Sequence, residues 1–437
     1  MPGHKFGQQL EGLPLLNLDA TEATGLDNLY EAEGIIKDAM QYMSDFYGSY
    51  HTVFLTNGST AGILTAILTV CKQDDKILVA RNCHYSVWNA LVLSGAKPVY
   101  ITPKYVNNII ESIDPYDVEQ AILMYPDIKA MILVSPTYEG IVSDISSIKK
   151  SLGDRILIVD EAHGAHLVLD KNFPQTSISQ GSDIVIHSLH KTLPALTQSA
   201  LIHICSNKVS YEDIIKNLKL TQTSSPSYLM MATMDYARAY LMSDTDKISL
   251  YIKKLLEIRN KLRQLKHLKL LDEKPCRYDI SKIVIITEHS NLTGYQLAQI
   301  LEDKYNLGIE AAYNTHIILI TTIVDCNLAL DRLCNVLIEI DLELYQVDKE
   351  LYTSEIPQEI CTALSPRYTY YLESVWQDIE NIEGCICAQN IMFYPPGIPL
   401  ICIGEIFVEE HIKLIQKFSE KLKGIQIENG IIKILTV

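Results

Sequence analysis

The sequence predicts an α/β fold with a largely parallel central sheet, and three observations lead there. Short Val/Ile-rich runs alternate with helix-length segments between about residues 51 and 205. Five of the six runs end in polar, chemistry-bearing side chains rather than in featureless turns. The chain has 437 residues, 48% hydrophobic and 21% charged, which is enough for two or three domains with cores of their own. Continuous apolar runs of this kind suit strands buried on both faces, as in a sheet covered by helices on each side.

The strand candidates are HTVFLT from His51, KILVA from Lys76, KPVYI from Lys97, KAMILVS from Lys129, RILIVDEAH from Arg155 and DIVIHS from Asp183. Ligands of open α/β sheets gather at the carboxyl ends of the strands. There the sequence places Asn57-Gly58-Ser59-Thr60, Arg81-Asn82-Cys83-His84, Ser135-Pro136-Thr137, Asp160-Glu161-Ala162-His163 and Ser188-Leu189-His190-Lys191. Strand ends loaded in this way describe one crevice. Helical charge patterning dominates from about 245 to 270, and a strand, helix, strand, helix pattern follows from Ile283 to about Leu344. The last stretch, from about 350, holds the turn-rich YPPGIP at Tyr394. The expected division is therefore 1–245, 246–345 and 346–437.

Composition narrows the class of function. The 37 Lys plus Arg against 53 Asp plus Glu give a net charge of −16. Such a surface repels nucleic acid and anionic membrane and attracts cationic solutes. The longest greasy run, HIILITTIV from His316, is far shorter than the roughly 20 apolar residues of a membrane span. The opening MPGHKFG has no apolar signal-peptide region, and the 10 cysteines are scattered without zinc-site spacing, so a cytoplasmic protein with reduced thiols is expected.

In DIVIHSLHKTLPALTQ a strand delivers Ser188, His190 and Lys191 into a short loop. A lysine there can form a Schiff base with an aldehyde cofactor if burial or a neighbouring cation lowers its pKa. Ser188 and His190 are placed to hold a phosphate. In LIVDEAHGAH, Asp160 at a strand end suits pairing with a protonated pyridine nitrogen, and His163 follows three residues on. A metal site from His163 and His166 lacks further ligands, and His166 reads as a packed residue. The DEAH string also occurs in NTP-driven helicases, but the chain has no GxxxxGK[ST] loop and no Gly-Lys dipeptide. FLTNGSTAGILTAIL is a strand, a hydroxyl-rich loop and an apolar helix. Free N–H groups at that helix start, with Ser59 and Thr60, make a phosphate cradle, although NGST alone is also a good N-cap. His84 in RNCHYSV can stack on a flat aromatic cofactor.

Together these segments bring a family into view. PGHK at Pro2, NGST at Asn57, RNxHxS at Arg81, SPTYEG at Ser135, DEAHGAH at Asp160, SxHKTLPALTQ at Ser188, TSSPSY at Thr223 and YPPGIP at Tyr394 resemble, in order, the bacterial ornithine/lysine/arginine decarboxylases. That resemblance implies a fold-type I, aspartate aminotransferase-like enzyme dependent on pyridoxal 5′-phosphate (PLP), with a smaller α/β domain and a C-terminal decarboxylase domain. It makes Lys191 the Schiff-base lysine, Asp160 the partner of the pyridine nitrogen and His84 the group stacked on the ring. His163 lies beside the cofactor, and Ser59, Thr60, Ser188 and His190 surround its phosphate. Ser224 or Ser225 reaches the neighbouring subunit's phosphate, which implies a homodimer or higher oligomer with shared sites. The expected reaction takes a lysine, ornithine or arginine to its diamine or agmatine and CO2, as in polyamine biosynthesis.

The departures bear on specificity. The long members' N-terminal wing domain is absent before PGHK, so the chain matches a short form. The family's lysine after the stacking histidine is Tyr85, a glutamate before YPPG is Gln389, and the usual PGE is Ile403-Gly404-Glu405. Glu405 is the candidate carboxylate for the substrate's distal cation. The competing readings are another fold-type I PLP enzyme, an aminotransferase or lyase with Arg367 on the substrate carboxylate, and a catalytically weak paralogue.

Overall fold

The computed structural model describes residues 4–5, 14–22, 25–106, 109–272, 277–347, 360–393, 397–428 and 430–437. The 7-stranded central sheet is built from β1 (His51–Leu55), β2 (Lys76–Ala80), β3 (Lys97–Ile101), β4 (Ile128–Val134), β5 (Ile156–Asp160), β6 (Ile184–Ser188) and β7 (Ala200–Ile204). Their spatial order is β1-β7-β6-β5-β4-β2-β3. The run from β6 to β3 is parallel, and β7 is antiparallel to both of its neighbours. Each run read as a strand from the sequence lies in this sheet. Their Val, Ile and Leu side chains are almost wholly buried because helices cover both faces.

A first helix, α1 (Ile35–Tyr47), packs beside β1, and α2 (Gly58–Val70) follows β1 directly. Helix α2 is apolar around most of its circumference and buries Ala61, Gly62, Ile63, Ala66 and Ile67. This places its N-terminus at the strand ends, beside the loop after β6.

A second, 4-stranded antiparallel sheet follows, in the order β8 (Lys269–Leu270), β9 (Lys282–Ile286), β11 (His316–Ile320), β10 (Ala311–Ala312). Helices Thr245–Leu262, Gly294–Tyr305 and Asn327–Glu343 accompany it. The start of β9 is stitched to the loop after β4. There the Val142 N–H donates to Arg277 O at 2.9 Å and the Asp279 N–H to Gly140 O at 2.8 Å. Gly140 has φ +106°, and a Cβ there would stand 2.8 Å from Lys282 Cγ, so only glycine lets the Lys282 stem pass.

The C-terminal residues carry a separate core of Ile382, Ile391, Ile401, Phe407, Ile415 and Ile434 under two small antiparallel sheets. No helix among the described residues is long and apolar enough to cross a membrane.

Candidate active site

The carboxyl ends of β1, β2, β4, β5 and β6 open onto one cavity of about 460 Å³. Its wall includes Ser59, His84, Asp160, His163 and Lys191, and also Asn82, Tyr138 and Glu310. Five of the residues expected from the sequence are thus brought together.

Lys191 sits in the short helical turn Leu189–Thr192 that follows β6. Its Nζ is 3.0 Å from His163 Nε2. Burial pushes the ammonium's pKa down, while Asp160 and Glu310 pull it back up. Asp160 ends β5 and is 3% exposed. Burial pushes its carboxyl up, opposed by Lys191, and its Oδ1 accepts the Ala162 N–H at 3.1 Å. His84 Nδ1 lies 2.9 Å from Ser86 Oγ and accepts the Ser86 N–H at 3.3 Å, which fixes the plane of the ring. Burial, helped by Lys191, brings its pKa down to about 4, so a neutral ring faces the cavity.

At the other end of the cavity, Ser188 Oγ donates to Ser59 Oγ at 2.9 Å, on the first turn of α2. The first N–H groups of α2 have no intrahelical acceptors and attract an anion. Thr60 is half-buried on the same turn. His190 stands behind this end, with Nδ1 3.0 Å from Ser199 O and its pKa lowered by burial.

PLP would ask of this cavity a buried amine, a carboxylate for its ring nitrogen, a flat cover and an anion cradle. Lys191, Asp160, His84 and the α2 N-terminus with Ser59 and Ser188 answer those needs around one space. The buried Asn82 Oδ1 on the cavity wall also lacks a protein partner. The residues fit the group.

Other expected residues lie elsewhere. Glu405 does not line this cavity: its Oε2 accepts from Arg81 Nη2 at 2.9 Å and from the Cys402 N–H at 2.7 Å. Both side chains of the pair are buried, so the carboxylate expected at the substrate's cation is already committed to another one. Gln389 is likewise turned to Gly424 O at 3.1 Å. Arg367, the carboxylate binder of the aminotransferase reading, donates to Leu93 O at 3.1 Å beside a different surface hollow. Ser224 and Ser225 are exposed and outside the cavity of their own chain. His166 is packed, with Nε2 3.0 Å from Asp279 Oδ1, and no group of His, Cys, Asp and Glu among the described residues could hold a metal. PGHK from Pro2 lies partly outside the described residues, as does YPPGIP, of which Gly397 onward is described.

Three further residues at or beside the site were not singled out from the sequence. Tyr138 Oη donates to Glu310 Oε1 at 2.5 Å across the cavity mouth. The Tyr138 ring meets the His163 imidazole edge-on, with centroids 5.0 Å apart. Lys282 Nζ lies 3.1 Å from His163 Nδ1, on the side of the ring away from Lys191. Only SPTYEG pointed at Tyr138; nothing local marks Glu310 or Lys282.

The chain is similar to known proteins of one family. The family model described as Orn/Lys/Arg decarboxylase, major domain, matches residues 1–288, and the Orn/Lys/Arg decarboxylase C-terminal domain matches residues 350–429. An arginine decarboxylase of Bacillus subtilis is 32% identical, the match covering 95% of this chain and 89% of that protein. An arginine decarboxylase of Bacillus anthracis is 31% identical, over 96% of this chain and 89% of the relative. Among solved structures, the constitutive lysine decarboxylase of E. coli superposes with a TM-score of 0.87 at 17% identity, over 100% of this chain and 79% of that one, a likeness of fold.

Proposed function

The chain belongs to the Orn/Lys/Arg decarboxylase family, and from that premise we propose that it removes the α-carboxylate of a basic amino acid, arginine first among them, with PLP held at Lys191. The observation that carries this reading is the gathering of Lys191, Asp160, His84, His163 and Ser59 around one cavity. Arginine is put first because the relatives described above that cover most of both chains are arginine decarboxylases.

Bound there, PLP would supply an aldehyde that takes up the substrate amine and a ring that accepts the electron pair left by CO2. Lys191 would provide the amine that holds the cofactor. Asp160 would keep a proton on the ring nitrogen, His84 would cover one face, and Ser59, Ser188 and the α2 N-terminus would donate to the phosphate. His163 holds a proton between its ring and the Lys191 amine. Glu310, an acidic residue at the mouth with its carboxylate oriented by Tyr138, takes the substrate's distal cation in place of Glu405. The divisions 1–245, 246–345 and 346–437 are part of this reading, and the cavity draws Lys191, Glu310 and Ile398 from them in turn.

Release of CO2 from arginine, lysine and ornithine by PLP-loaded protein tests the activity; no release from any of them sinks it. For Glu310→Gln, loss of one charge-assisted hydrogen bond, about 1.5–3 kcal/mol, should raise KM on the order of 10–100-fold with kcat much less changed. An unchanged KM would remove Glu310 from recognition.

The same reading makes the site shared within a homodimer, through the exposed Ser224 and Ser225. A Lys191→Ala chain mixed with a Ser224→Ala/Ser225→Ala chain should form heterodimers in which one site carries both defects and the other neither. Mixing two nearly inactive proteins is then expected to restore up to about a quarter of full activity, half the dimers being mixed and each holding one intact site of two. A full-activity monomer at high dilution would rule sharing out.

A further inference from the structure

Lys282 is the first residue of β9, and its side chain is wholly buried. From the second sheet it reaches His163 on the cavity wall, 119 residues away along the chain. Its Nζ is 3.1 Å from His163 Nδ1, and His163 Nε2 is 3.0 Å from Lys191 Nζ. Two lysines therefore stand at opposite ends of one imidazole. We propose that Lys282 is a positioning residue which, through His163, holds the Lys191 amine in its unprotonated, nucleophilic form. This rests on the reading of Lys191 as the cofactor's lysine.

The argument is one of donors and acceptors. An ammonium has three donors and no acceptor, and a neutral imidazole has one donor and one acceptor. If Lys282 is charged, His163 Nδ1 has to accept, so the ring proton sits on Nε2 and points at Lys191. Lys191 Nζ then has to accept, which requires its lone pair. The alternative arrangement has Lys191 as the ammonium, His163 protonated on Nδ1 and Lys282 as a free amine. The two differ by one proton entering the ring at one nitrogen as another leaves at the other, with the total charge unchanged. One proton thus serves two lysines, and its position decides whether Lys191 can attack an aldehyde.

Acidic and aromatic groups are arranged to hold a proton at Lys282. Asp279 and Glu139 lie near Lys282, and Glu310 lies near both lysines. Asp279 Oδ1 also accepts from Ser281 Oγ at 2.7 Å and lies 3.0 Å from His166 Nε2, while its Oδ2 has no partner. The Lys282 Nζ is 5.9 Å from the centroid of the Tyr138 ring, whose face attracts a cation. Around Lys191 the charged or titratable groups are Asp160, Glu310, His84, His163, His190 and Lys282. Burial, with Lys191 and Lys282 on either side, pushes His163 well below its ordinary range, so the ring stays neutral in both arrangements. Burial lowers both lysines, Lys282 to about 8, against the pull of Asp279 and Glu310 on Lys282 and of Asp160 and Glu310 on Lys191.

The test follows the rate at which the full-length, cofactor-stripped protein gains its visible absorption band on adding PLP, as a function of pH. Lys282→Met removes the donor-only cation, which frees His163 to accept from a Lys191 ammonium and relieves the repulsion between the two charges. The midpoint of the pH profile should move up by at least about one unit, making attachment about tenfold slower at neutral pH. Lys282→Arg keeps a permanent cation with donors only and should retain the low midpoint. Lys282→Gln replaces the methionine variant if circular dichroism shows the latter unfolded. A neutral variant that attaches PLP with the wild-type midpoint overturns the proposal alone. Wild-type protein that never attaches PLP to Lys191 overturns the reading beneath it, and the proposal with it.

Discussion

Lys191→Ala is expected to be colourless once unbound PLP is removed, to retain no cofactor after borohydride reduction and to lose on the order of 10⁴-fold or more in turnover, the upper end of what loss of an essential acid–base group costs. The wild-type protein treated in the same way should carry PLP covalently on Lys191 and on no other lysine. Burial sets this amine apart from the surface lysines, because it disfavours the ammonium and leaves more free base at neutral pH. The variant should fold, since alanine removes a buried amine from a partly apolar cavity and leaves the turn after β6 intact. Peptide mapping of the reduced protein decides the matter. A label on any other lysine would show that the cavity is not where the cofactor is attached.

Asp160→Asn should fold and bind PLP, yet turn over about 10²–10³-fold more slowly, as when one preorganised charge or donor is removed from a site. An amide has nearly the same shape as the carboxylate, and its oxygen can still accept the Ala162 N–H that now reaches Oδ1. What it cannot do is keep a proton on a ring nitrogen by charge. Burial makes that charge matter more, because a carboxylate that is 3% exposed acts through little screening water. The absorption band should persist while kcat falls. Near-normal kcat would show that Asp160 is not the nitrogen's partner.

Much of this site was legible because its chemistry sits at strand ends, and strands buried on both faces write themselves as apolar runs. Asp160 and Lys191 are each fixed by the run that delivers them. The strand β7 escaped notice because it follows the Lys191 loop without an intervening helix and returns antiparallel, so the alternation that revealed the others breaks there. Lys282 and Glu310 escaped for a different reason. Each is an ordinary charged residue in its own neighbourhood, and Glu310 joins the cavity wall and Lys282 meets His163 only when the second sheet docks on the loop after β4. Glu405 shows the converse. Its position after YPPGIP suggested recognition of a ligand, but the cation it meets is Arg81, from the sheet's own edge of the cavity.

That ion pair also sets a timetable for synthesis. Arg81 opens the segment that carries Asn82 and His84, and it finds Glu405 only 324 residues later, along with the carbonyls of Pro399 and Leu400. A buried charge whose partner is missing costs about 3–5 kcal/mol. At a ribosome adding about 5–20 residues per second, roughly 16–65 s separate the two residues' appearance. For that interval burial of the guanidinium is disfavoured, and the segment bearing His84 is expected to settle only once Glu405 has been made.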